Sequence, residues 1–68
     1  MDKNWTKIFS STQLYKVEII KGLLEENNIV SVIVDQQDSA YLFGEIDLYV
    51  KVKDAFNAAQ IISKHNGE

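Results

Sequence analysis

The chain has 68 residues, 46% of them hydrophobic and 25% charged, with a formal net charge of −3 and no cysteine. That length holds one small domain, residues 1–68, with a thin core and neither disulfide nor thiolate–metal staple. The acidic balance excludes a surface that tracks nucleic-acid phosphates, and the N-terminal MDKNWTKIFS lacks the apolar run of an export signal or membrane span, so a cytoplasmic protein without nucleic-acid or membrane partners is expected.

Residues 5–10, WTKIFS, are rich in aromatic and β-branched types and predict a first strand. Ser10 and Gln13 have capping-box spacing, which predicts a helix starting there. Its apolar side is expected from Val17, Ile20, Leu23 and Leu24, with Ile19 at the flank, while Glu18, Lys21, Gly22, Glu25 and Glu26 face away. Asn27 and Asn28 close the helix, because asparagine tolerates the left-handed conformation common at helix ends. Residues 29–34, IVSVIV, predict a second strand covered on at least one face.

Residues 35–50 read DQQDSAYLFGEIDLYV, a polar connector that turns abruptly apolar before the next strand. In that strand Ile46, Leu48, Val50 and Val52 alternate with Asp47, Tyr49, Lys51 and Lys53, so one face is core and the other wet. Asp54 is the expected cap of a last helix with the stripe Ala55, Ala58, Ala59 and Ile62, ended by Asn66-Gly67.

Strand, helix, strand, strand, helix is the order of an α+β βαββα ferredoxin-like unit lacking its last strand. A right-handed crossover leaves a gap between the first two strands for the third, expected parallel to the first and antiparallel to the second, in a three-stranded antiparallel/mixed sheet. Both helices are expected on one face. Tyr49 marks the other, and Trp5 and Phe9 are expected to join it because Lys7 shares their side of the strand.

NWTKIFSS, the helix ending LLEENNI and above all DSAYLFGEIDLYV resemble a small prokaryotic family described as putative signal transducing proteins, a domain of unknown function, over essentially the whole chain. The resemblance implies a bacterial regulator sharing the fold of the PII nitrogen regulators, whose loop between the second and third strands contacts target proteins; here that loop is residues 36–45. The chain departs from those regulators in having no fourth strand and no glycine-rich, basic phosphate site.

No catalytic, cofactor or metal constellation stands out. His65, the only histidine, sits near a helix C-terminus, where the dipole favours a cation, and has no second ligand at metal spacing. Asp35, Asp38, Glu45 and Asp47 bracket the hairpin and offer a carboxylate pair or hard-cation site, but the simpler reading makes Asp35 and Asp38 loop residues, Asp38-Ser39 a side-chain-stabilised turn and Asp47 the solvent face of a strand. Ser10, Ser11, Ser39 and Ser63 have no base at a recognisable spacing, and Gly44 stands alone.

A non-enzymatic interaction module follows, with Trp5, Phe9, Asp38, Ser39, Tyr41, Phe43, Gly44 and Tyr49 as the candidate partner or ligand surface. The alternative is a small-ligand sensor, for a metabolite or nucleotide, with the ligand beneath the hairpin beside Trp5 and Tyr49. Tyr41, Leu42 and Phe43 either fold back over the bare sheet face or form a recognition tip; the first is expected, with Gly44 supplying the backbone freedom to turn. An unguarded first strand and the small core predict a homodimer in addition to an unidentified protein partner.

Overall fold

Helical periodicity and strand alternation converge on a single core. The computed structural model describes residues 3–35 and 44–66. Its elements are β1 (Trp5–Ser11), α1 (Leu14–Glu26), β2 (Ser31–Asp35), β3 (Ile46–Lys51), a 3₁₀ turn (Val52–Asp54) and α2 (Ala55–Asn66). Val17, Ile20 and Leu24 of α1 and Ala58 and Ile62 of α2 are buried together with Ile46, Leu48 and Val50 of β3 and with Ile29. Both helices therefore lie on the face of the sheet to which the even-numbered residues of β3 point, the α+β arrangement expected.

The sheet order is β1-β3-β2, with β3 central. Both pairings are antiparallel, which corrects the expected parallel pairing of the first and third strands. The reason is topological: the crossover makes β1 and β2 run the same way, and the return through residues 36–45 reverses β3 against both.

The register brings a second correction. Lys7 pairs with Tyr49 but Phe9 pairs with Leu48, so Ile8 is a bulged extra residue. Phe9 thus shares a face with Leu48, and both Ile8 and Phe9 pack against the core rather than on the open face.

Local chemistry shifts the element ends. β1 runs on through Ser11, which pairs with Ile46, so the Ser10–Gln13 capping box does not form. Ser11 Oγ instead accepts the Gln13 backbone N–H at 3.1 Å, and Ser10 Oγ donates to Glu45 Oε2 at 2.9 Å. At the other end of α1 the Asn28 N–H reaches the Glu25 carbonyl at 3.0 Å and the Ile29 N–H the Leu24 carbonyl at 3.0 Å, with Asn28 at φ 63°. This is a Schellman closure, and Ile29 and Leu24 complete it in the core. Ile29 is thereby spent on the helix end, and β2 starts at Ser31 instead of residue 29.

Two further expectations are corrected. Val52 leaves the strand for the 3₁₀ turn, its N–H bonded to the Asn4 carbonyl at 2.7 Å, and is exposed. On α2 Ala59 is exposed and Ile61 packs against the core in its place, since Ala59 lies about 100° round the helix from Ala58. On α1 Leu23 is half-buried on the apolar side and Ile19, at its flank, is exposed, in line with the expected placement.

Candidate interaction surface

Because the helices occupy one side of the sheet, the other side is formed by the cross-strand neighbours that alternate with the core positions. From β1 and β3 these are Trp5 opposite Lys51, Lys7 opposite Tyr49, and Ser10 opposite Asp47. From β2 they are Val32 opposite Tyr49 and Val34 opposite Asp47. Among the described residues, no helix or strand stacks on this face.

The face is graded along its length. At one end Asp47 is 3% exposed, between Ser10 and Val34, which are half-buried. This corrects the reading of Asp47 as a solvent-facing position: on the central strand it has neighbours on both sides, as an edge residue would not. At the other end Lys7 and Lys51 are exposed, Val32 is exposed, and Trp5 and Tyr49 are half-buried. The Lys51 ammonium stands 5.9 Å from the centroid of the Trp5 ring, within reach of a cation–π attraction. Beside that pair, Asn4, Trp5, Lys51, Val52 and Lys53 line a cleft of about 460 Å³. An otherwise acidic chain thus presents lysines and an indole together at one end of a sheet face.

Of the eight candidate residues, Trp5 and Tyr49 are brought onto this face, Phe9 is turned away from it, and Gly44 sits at the approach to β3 with φ 104°. That angle is one side chains avoid, so the requirement for glycine at this turn is met. Asp38, Ser39, Tyr41 and Phe43, together with the question of whether residues 41–43 fold back, lie outside the described residues. Lys51, Lys53 and Asn4 were not singled out from the sequence. Lys51 and Lys53 read only as the wet side of a strand, and nothing short of the register places them beside Trp5.

The other chemical candidates separate. Asp35 pairs with Ile46 and Asp47 with Val34, so the two carboxylates lie on opposite faces and cannot act as a pair. Glu45 is tied to Ser10. Among the described residues no group of three or more histidine, cysteine, aspartate or glutamate side chains could hold a metal ion. His65 is exposed in the last turn of α2 next to Lys64, where positive charge complements the helix dipole. No described helix is long and apolar enough to cross a membrane.

The chain belongs to the family described as "Putative prokaryotic signal transducing protein", whose model matches residues 5–65. No curated protein and no solved structure matches the chain.

Proposed function

We propose that this member of the family is a non-enzymatic, cytoplasmic interaction module that engages a protein partner in signal transduction through its helix-free sheet face and the connection at residues 36–45. The observation that carries the reading is the pairing of Trp5 with Lys51 on that face, bordered by Tyr49, Lys7 and Lys53. A half-buried indole beside the Lys51 side chain offers apolar contact area of the kind that dominates interface energetics. The ammonium groups select a partner segment that carries carboxylates. The resemblance to PII-type regulators, whose loop between the second and third strands contacts target proteins, is the reason residues 36–45 are included in this reading.

The test compares wild-type protein with W5A/K51E as bait. Proteins retained by wild type and released by the double variant, then purified and shown to bind directly, are the expected result. Identical retention by both baits contradicts the reading. A thermal-shift panel of nucleotides and metabolites addresses the ligand-sensor alternative. A specific compound that raises the midpoint of wild type but not of the double variant moves the assignment from protein partner to small ligand.

A further inference from the structure

The two outer edges that β1 and β2 form among the described residues are not equivalent. β1 carries the bulge at Ile8 and an exposed lysine, Lys7, at its middle, both of which blunt an edge against strand addition. β2 has neither. Its pairing with β3 is regular from Ser31 to Asp35, it lacks proline and lysine, and its residues Val32, Ile33 and Val34 are all β-branched. Val30, just before it, is 62% exposed, and Val32 is 37% exposed. The expectation that the first strand is the unguarded one is therefore reversed by the structure.

One buried side-chain oxygen on this strand lacks a partner. Ser31 is 7% exposed, and its Oγ makes no hydrogen bond. Ser31 lies on the core face opposite Val50, so β3 offers it none. A buried hydroxyl left unsatisfied is destabilising, and the side of Ser31 away from β3 is the outer edge of the described sheet.

We propose that the β2 edge is the dimer interface of this protein, occupied by β2 of a second copy in antiparallel register about a two-fold axis at Ile33. In that register Ser31 stands opposite Asp35 of the partner copy and Val32 opposite its Val34. Each Ser31 hydroxyl donates to an Asp35 carboxylate across the seam, valine meets valine on the other face, and no like charges are opposed. The strand is thus complementary to itself, which favours a second copy over an unrelated peptide. A 68-residue chain without cysteine also belongs to the size class that supplements its core by association. The axis runs perpendicular to the sheet, so the product is a six-stranded sheet with all four helices on one side. Its other side joins both copies of the Trp5–Tyr49 surface.

Sedimentation equilibrium on the full chain, combined with hydrogen exchange at low and high protein concentration, tests this. Wild type is expected at twice the protomer mass at high concentration, with amide protection that grows with concentration in residues 31–35 and not in residues 5–11. V30K/V32K, at two exposed positions, is expected to keep its far-ultraviolet circular dichroism and weaken association by at least about tenfold through like charge at the seam. S31A and D35A, each removing one side of the cross-seam hydrogen bond, are expected to weaken association to similar extents, with no further loss when combined. A monomer at every concentration overturns the proposal. So does a folded V30K/V32K that dimerises like wild type, or concentration-dependent protection confined to β1.

Discussion

Phe9 stands opposite Leu48 on the helix side of the sheet, although Lys7, two residues earlier, stands opposite Tyr49 on the bare side. One bulged residue, Ile8, separates the two pairs and turns an aromatic from the helix-free face of the sheet to the core side. Phe9 and Trp5 are close in sequence and similar in chemistry, yet the fold gives them different work.

Truncating them separates the two roles. Phe9→Ala is expected to cost about 2–3 kcal/mol, somewhat less than a fully buried phenylalanine, and Trp5→Ala less than about 1 kcal/mol. Urea denaturation followed by circular dichroism checks this, and a larger loss for Trp5→Ala than for Phe9→Ala contradicts the placement of Phe9 on the core side.

The closure of α1 rests on the left-handed Asn28, at φ 63°. Asn28→Gly is expected to keep or slightly raise stability, whereas Asn28→Val is expected to lose about 1–2 kcal/mol because a branched side chain meets the following carbonyl oxygen. Thermal unfolding of the pair distinguishes a backbone requirement from a side-chain one.

Gly44 makes the matching case at the entry to β3. With φ at 104°, Gly44→Ala is expected to lose about 1–3 kcal/mol through backbone strain. A denaturation midpoint equal to that of wild type would show that this turn does not constrain the strand.

His65→Ala, by contrast, is expected to change stability by less than about 1 kcal/mol, the usual scale of a charge at the last turn of a helix, and to leave partner binding unchanged. Stoichiometric transition-metal binding that disappears in the variant would give this residue a role the fold does not.

Much of this architecture is written in periodicity. Val17, Ile20 and Leu24 recur at helical spacing, and Ile46, Leu48 and Val50 at strand spacing, so the core could be read before the fold. What escaped reading depends on pairing between distant segments. Nothing in WTKIFSS marks Ile8 as bulged, since no glycine breaks the run; the irregularity is visible only against β3. Ser10 and Ser11 suit a helix start equally well until the ladder claims them for the strand. Val52 continues the alternation, yet the chain turns there because Asn4 accepts its N–H. The candidate surface was half legible for the same reason: Trp5 and Tyr49 stand out by type, while Lys51 and Lys53 gain meaning only from standing beside Trp5.

Trp5 is the only tryptophan in the chain, so its emission reports directly on the face assigned to the partner. Titration of wild type with a protein retained by the wild-type bait is expected to give a saturable change in Trp5 fluorescence. K51E is expected to weaken that binding by at least about tenfold while its urea midpoint stays close to that of wild type. Tight binding that leaves Trp5 emission unchanged, with the same affinity for K51E, would place recognition elsewhere on the molecule and contradict the account.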